Sequence, residues 1–137
     1  MAESIRRVQY FYVMTSDKPG EGARALQTLK EAGVNLLAFS GFPVGKRAQL
    51  DFVPEDPAAF RAAARAAKWK VTGPKAGFLI EGDDRTGVMA DLLGKLAAAR
   101  INVTASDAVI AGAGRFGAIL WVKPRDVNRT GKLLGAS

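Results

Sequence analysis

The sequence predicts an α+β protein built from two copies of one small module. Asp17-Lys18-Pro19-Gly20 recurs as Asp84-Arg85-Thr86-Gly87, and Asn35 recurs as Asn102, both at a spacing of 67 positions (17 to 84 and 35 to 102). Between the two motifs of each copy, apolar residues fall at the three- and four-residue intervals of one face of an α-helix. A repeat of this length is too long for a solenoid unit and suits one small module.

The first copy has the pattern strand, helix, strand, strand, helix, strand, which is that of a ferredoxin-like unit. Its predicted elements are a central strand over residues 8–14, a helix between a turn at 17–22 and a stop at Gly33, strands over 36–44 and 47–53 joined at Gly45-Lys46, a helix from Asp56-Pro57 to about Ala67, and a short strand over 69–72. Gly73-Pro74 is expected to break the chain between the copies. The predicted domains are therefore residues 1–73 and 74–137.

The second copy repeats this pattern but is predicted to be truncated. Its elements are a strand over 76–82, a helix over 86–99, strands over 102–111 and 115–123, and a last helix from Asp126, which leaves too few residues for a returning strand. The strand over 76–82 would then have an uncovered apolar edge, which is an aggregation risk. We expect a continuous antiparallel sheet across the two copies or across a dimer to cover it.

Composition excludes most catalytic chemistry. The 137-residue chain contains no Cys and no His, so thiol or imidazole nucleophiles, bases and zinc ligands are absent, and neither an enzyme nor a cofactor is expected. The net charge of +7 favours an anionic partner such as a nucleic acid. The basic residues are spread along the whole chain, however, so the sequence shows no concentrated basic patch. No apolar run reaches membrane-spanning or signal-peptide length, so cytoplasmic residence is expected.

The doubled motif resembles the ACT family of small-molecule-sensing modules. The resemblance rests on a strand, Asp17-Lys18-Pro19-Gly20, a helix and Gly33-Val34-Asn35-Leu36, and on the second copy's Asp84-Arg85-Thr86-Gly87 and Ile101-Asn102-Val103. It implies a stand-alone tandem ACT protein that forms a homodimer, binds an amino acid between modules and regulates an enzyme. The partner enzyme and the ligand are not identified by the sequence.

The resemblance also implies which residues bind the ligand. They are Asp17, Lys18, Pro19, Gly20, Glu21, Gly22, Asn35 and Leu36 in the first copy, and Asp84, Arg85, Thr86, Gly87, Val88, Asn102 and Val103 in the second. The free N–H groups at the start of each helix suit a ligand carboxylate. In the family's fold the two asparagines lie near these loops, where an amide offers both donors and an acceptor. Thr86 in place of Pro and Arg100 in place of Gly indicate that only one site is competent.

Other interpretations of the same residues remain open. Asp17, Asp84 and Thr86 also suit helix capping, which is the favoured interpretation for the two aspartates, and the asparagines suit turn conformations. Glu81, Asp83 and Asp84 suit a hard cation less well than an ordinary solvated loop.

Two other functions compete with ligand sensing. One is a purely structural dimerisation module. The other is an RNA-binding protein, which would need exposed aromatic residues on its central strands, with Tyr10, Phe11 and Tyr12 as the candidates.

Overall fold

A computed structural model describes residues 3–136 and confirms the predicted fold class. The elements are β1 (Ser4–Ser16), α1 (Glu21–Glu31), β2 (Leu36–Val44), β3 (Arg47–Pro54), α2 (Pro57–Ala66), β4 (Thr72–Asp83), α3 (Val88–Ala98), β5 (Val103–Gly112), β6 (Arg115–Val122), a 3-10 turn (Pro124–Asp126) and α4 (Val127–Leu134). The strands form one six-stranded sheet in the order β2-β3-β1-β4-β6-β5, with β1–β3, β2–β3, β4–β6 and β5–β6 antiparallel. The expected continuous sheet is therefore confirmed.

The chain divides into two compact units. The first unit comprises residues 9–75, and the second comprises the described residues up to Val8 together with those from Ala76 onward. The units thus differ at the N-terminus from the predicted sequence repeats, because Ile5 packs against the core of the second unit. The division of the sequence into repeats at 1–73 and 74–137 stays a prediction.

Aromatic residues form the core of the first unit. Phe11 and Phe52 are partners across β1 and β3, and both are fully buried. Phe60 of α2 stacks on Phe11 with ring centroids 4.8 Å apart, and Trp69 stacks on Phe52 at 5.8 Å. Since offset aromatic pairs add stability beyond the apolar area that they bury, this cluster fixes α2 on the sheet.

Aliphatic residues form most of the core of the second unit. Leu92 and Leu96 of α3 are fully buried, as are Phe78 and Leu120, which are partners across β4 and β6. The apolar face of α3 that the sequence predicted therefore packs against the core of this unit.

The segment between the two copies differs from the prediction. The predicted strand over 69–72 and the break at Gly73-Pro74 are wrong, because residues 72–83 form the single strand β4. Gly73 has a φ of 126° and lies so close to β1 that a Cβ would be 2.9 Å from the carbonyl oxygen of Tyr10. The glycine thus permits a close strand approach here instead of a turn.

The predicted uncovered edge of the strand over 76–82 is paired. β4 lies between β1 and β6 in the sheet. β1 extends over Ser4–Ser16, beyond the predicted 8–14, and its first residues belong to the same unit as β4. In the second unit the first residues of β1 therefore lie beside β4, at the position that the fourth strand has in a ferredoxin-like unit.

Candidate functional site

The loop between β1 and α1 ends in a left-handed glycine. Gly20 is the N-cap residue of α1, with a φ of 92°, and no side chain caps this helix. A left-handed residue without a Cβ turns the chain sharply into the helix. The N–H of Glu21 donates to the carbonyl of Lys18 at 3.4 Å, and the next N–H groups of the first turn have no acceptor within the helix. Gly22, in the first turn, has no atom within 4 Å of the position that a Cβ would take. A small ligand can therefore approach this backbone closely.

A cavity of about 230 Å³ lies beside this loop. It brings together four of the predicted residues: Asp17, Lys18, Glu21 and Gly22. Pro19 and Gly20 belong to the same loop but do not line the cavity. The remaining lining residues were not predicted, and they are Thr15 and Ser16 at the end of β1 and Gly41, Phe42, Pro43, Ala48 and Leu50 of the β2–β3 hairpin. The only sequence signal for this wall is a Gly-Phe-Pro run within a predicted strand.

The cavity carries charges of both signs. Glu21 accepts a hydrogen bond from Thr15 Oγ1 at 2.7 Å and pairs with Arg24 Nη1 at 2.9 Å. The hydroxyl hydrogen bond, followed by the nearby Arg24, lowers the pKa of the Glu21 carboxyl, so this group stays ionised at neutral pH. The side chain of Lys18 makes no hydrogen bond or ion pair with the other residues of the described range 3–136, and its charge contributes to the lowered pKa of the Glu21 carboxyl. The cavity therefore offers a fixed carboxylate and an unengaged ammonium group.

Asn35 and Leu36 lie at the other end of α1. They line a separate open cavity of about 400 Å³ with Leu26, Leu29, Lys30, Gly33 and Val34. Asn35 Nδ2 donates a weak hydrogen bond to Glu55 Oε2 at 3.4 Å. Because α1 has 11 residues and an α-helix rises about 1.5 Å per residue, its two ends are roughly 16 Å apart. The structure thus does not bring Asn35 to the loop of its own unit.

The second loop repeats the backbone of the first. Gly87 is the left-handed N-cap of α3, with a φ of 82°. Its side chains are engaged differently, because Arg85 pairs with Asp91 at 2.7 Å and Val88 is buried in the core. The backbone N–H of Asp84 donates to the carbonyl of Gly114 at 2.8 Å. The other predicted residues of this copy are Thr86 in the loop, the exposed Asn102, and Val103 at the start of β5.

The expected capping roles of Asp17, Asp84 and Thr86 are wrong. Neither α1 nor α3 receives a side-chain cap, because a glycine without a side chain occupies the N-cap position of each. Asp56 is the aspartate that caps a helix, since its Oδ1 accepts from the backbone N–H groups of Ala58 at 3.0 Å and Ala59 at 3.2 Å.

Two competing interpretations gain no support from the described residues. Within residues 3–136, no group of three or more acidic or other metal-binding side chains is placed to hold a metal ion, and Asp83 pairs instead with Arg115 at 2.8 Å. Of the three candidate aromatic residues for RNA stacking, Phe11 is fully buried, while Tyr10 and Tyr12 are partly buried. No described helix is long and apolar enough to cross a membrane.

Comparison with known proteins supports the fold. No protein-family model matches the sequence, and no curated protein matches it. Among solved structures, a protein from Bacteroides thetaiotaomicron is similar over 96% of this chain and 88% of its own, with a TM-score of 0.82 and 15% identity.

Two further similar structures are regulatory subunits of aspartate kinase. The one from Thermus thermophilus, in a ligand-free form, is 16% identical over 98% of this chain and 96% of its own, with a TM-score of 0.67. The one from Thermus flavus is 16% identical over 98% and 94% of the two chains, with a TM-score of 0.60. At these identities the similarity establishes a shared fold that extends over almost the whole of each chain.

Proposed function

We propose that this chain is a non-catalytic regulatory protein of the ACT type that binds an amino acid in the 230 Å³ cavity beside the first loop. The observation that carries this proposal is the presence, in one small cavity, of an unengaged lysine, a fixed carboxylate and an open helix N-terminus. The cavity is smaller than the usual range of about 300–1,000 Å³ for drug-sized ligands, so it suits a small metabolite.

The charges of the cavity suit the two ends of an amino acid. The N–H groups of the first turn of α1 beyond Glu21, together with the ammonium group of Lys18, suit a ligand carboxylate. The carboxylates of Asp17 and Glu21 line the same cavity and suit the α-ammonium group. A zwitterion therefore suits the cavity at both of its ends, whereas a simple anion would face the negative charges of Asp17 and Glu21 without offering them a cation.

The regulatory part of the proposal is supported by the similar structures. Those from Thermus are described as regulatory subunits and not as catalytic ones, and each is matched along nearly its full length. The chain also contains no Cys and no His, so it has no thiol or imidazole for nucleophilic or acid–base catalysis. A homodimer and a regulated enzyme partner are part of this proposal.

A thermal-shift screen against the twenty amino acids, followed by calorimetry, tests ligand binding. A ligand at one hundred times its Kd adds about 2.7 kcal/mol to the unfolding free energy and produces a clear rise in Tm. We expect Lys18→Ala to weaken binding at least tenfold, because the loss of a charge-assisted contact costs about 1.5–3 kcal/mol. The matched control is Arg85→Ala, at the equivalent position of the second loop, which should leave affinity unchanged.

Three results would contradict the proposal. If no amino acid changes the Tm, the purely structural dimerisation module is favoured. A response to polyanions alone, fading with added salt, would favour RNA binding. Loss of binding in Arg85→Ala with retention in Lys18→Ala would move the ligand to the second loop.

A further inference from the structure

The sheet side of the 230 Å³ cavity is lined by small and apolar residues. They are Gly41 and Pro43 of β2 and Ala48 and Leu50 of β3. The register places Gly41 opposite Leu50 and Pro43 opposite Ala48 across the two strands. Since opposed residues of an antiparallel pair lie on the same face of a sheet, these four residues form one continuous surface, which we call the sheet wall.

The sheet wall lies on the face of the sheet that carries the core of its unit. Leu50 belongs to that core and is opposite Val13 of β1, another core residue. Ala48 is opposite Thr15 of β1, which also lines the cavity. Phe42 alternates with the residues of the sheet wall along β2, so its side chain belongs to the other face. The cavity therefore continues the apolar core up to the first loop.

The sheet wall offers no polar side chain to a ligand. Thr15, beside it, already donates its hydroxyl to Glu21 at 2.7 Å. The charged groups of the cavity, those of Asp17, Lys18 and Glu21, come instead from the loop and from the start of α1. The cavity is thus divided into a charged side and an apolar side.

An amino acid with an aliphatic side chain matches this division. When its carboxylate and ammonium groups bind on the charged side, its side chain lies against the sheet wall and removes apolar surface from water. An aspartate or lysine ligand would place a further charge against the same wall, where no side chain pairs with it. Burying an unpaired charge is strongly unfavourable, so the sheet wall selects against these ligands.

The volume of the cavity favours side chains of intermediate size. At roughly 30 Å³ for each water molecule, about 230 Å³ corresponds to about eight waters. Valine, leucine, isoleucine and methionine have a comparable number of non-hydrogen atoms. Glycine and alanine would leave the sheet wall without contacts, and tryptophan would exceed the space.

We propose that the amino acid bound beside the first loop has an aliphatic side chain, of the size of valine, leucine, isoleucine or methionine, which packs on the sheet wall. This inference rests on the amino-acid site proposed above and adds the class of ligand that the site selects. The residues that determine the selection are Gly41, Pro43, Ala48 and Leu50.

Calorimetry of the full chain with leucine, alanine, aspartate and lysine tests the selection. Full burial of one methylene group corresponds to about fourfold in affinity. Gly41 and Pro43 are exposed at the rim of the cavity, so the ligand side chain is buried only in part. We therefore expect leucine to bind at least about tenfold more tightly than alanine, aspartate or lysine.

A valine at position 48 tests the contact with the sheet wall. Ala48 is half-buried, and Ala48→Val fills part of the cavity with a residue that strands favour. We expect the affinity for leucine to fall about tenfold, because a methylene too many in a pocket has an effect of that order. The affinity for alanine should change little, since its methyl group does not reach the wall. The matched control is Arg47→Val, at the preceding, exposed position on the other face of β3, which should leave the affinity for leucine unchanged.

The results separate this inference from the proposal on which it rests. Tightest binding of aspartate or lysine, lost in Lys18→Ala, would overturn the inference and retain the amino-acid site. Equal affinities for leucine and alanine, or equal effects of Ala48→Val and Arg47→Val, would also overturn it. If no amino acid binds, both proposals are wrong.

A second variant covers the case in which Ala48→Val does not fold, which circular dichroism detects. Gly41 has an ordinary backbone conformation, and a Cβ at this position would lie 3.3 Å from Leu50 Cδ2. Gly41→Ala therefore reduces the same part of the cavity. It should weaken leucine binding more than alanine binding, and the opposite order would contradict the inference.

Discussion

The helices α1, α2 and α3 each end in a left-handed residue, of which only one is glycine, and α4 ends in the left-handed Gly135. Gly33 follows α1 with a φ of 74°, while Lys68 follows α2 with 60° and Arg100 follows α3 with 58°. In all three, the N–H of the next residue donates to a carbonyl five positions earlier at 2.9 Å, in the pairs Val34 to Leu29, Trp69 to Ala64 and Ile101 to Leu96. This hydrogen bond is that of the Schellman motif, in which glycine is the preferred left-handed residue.

Replacing Arg100 with glycine should therefore stabilise the protein. The left-handed conformation costs an L-residue roughly 1–2 kcal/mol, and glycine removes that cost. Glycine adds about 0.5–1 kcal/mol of conformational entropy to the unfolded chain, which opposes the gain. The net increase in the free energy of unfolding is about 0.5–1 kcal/mol. Arg100 is exposed and forms no salt bridge within residues 3–136, so the substitution removes no contact that would offset this gain.

Urea denaturation of three variants measures the stability gained by placing glycine at a left-handed position and the stability lost by removing it. Arg100→Gly and Lys68→Gly should each raise the free energy of unfolding by about 0.5–1 kcal/mol. Gly33→Ala should lower it by a similar amount, and because no atom lies within 4 Å of the added Cβ, only the backbone conformation can be responsible. Equal stability of Gly33→Ala and the unmodified protein, or destabilisation by both glycine variants, would refute the reasoning.

Three further substitutions, one of them with a control, test the helix cap, the buried carboxyl and the N-terminal strand. Asp56→Ala should cost about 1 kcal/mol in urea denaturation because it removes a helix cap, whereas Asp17→Ala should change stability by less than about 0.5 kcal/mol. Burial raises the pKa of Asp51, opposed by a hydrogen bond from Gln49, so the folded chain holds this proton more tightly than the unfolded chain does. Asp51→Asn should therefore stabilise the protein at neutral pH, with a gain that shrinks as the pH falls through the native pKa; denaturation across that range checks the sign. Ile5→Ala should reduce amide-exchange protection in α3 rather than in α1, because Ile5 packs on the core of the second unit.

Elements with local signals were predictable from the sequence. The β2–β3 hairpin follows from its Gly45-Lys46 turn, and α2 follows from Asp56-Pro57, which supplies both a cap and a proline in the first helical turn. The continuity of β4 was not predictable, because Gly73 serves a close approach to β1 that depends on a residue far away in sequence. A glycine-proline pair has the same local pattern in either role.

The candidate site was predictable only in part, for a related reason. Its loop was identified from the repeated Asp-x-x-Gly motif, and Asp17 and Lys18 do line the cavity. Its other wall comes from Phe42 and its neighbours on the β2–β3 hairpin, which carry no motif of their own. Asn35 was assigned to the site through the resemblance alone, and the length of α1 separates it from the loop of its unit.

The two loops separate the contribution of the backbone from that of the side chains. Gly20 and Gly87 adopt nearly the same left-handed conformation, so both loops expose a helix N-terminus in the same way. Their cations differ, because Arg85 is held by Asp91 at 2.7 Å whereas Lys18 is unengaged within residues 3–136. If backbone N–H groups sufficed for binding, each chain would bind two equivalents of ligand. If the free ammonium group is required, each chain binds one, and calorimetric stoichiometry decides between these mechanisms without any substitution.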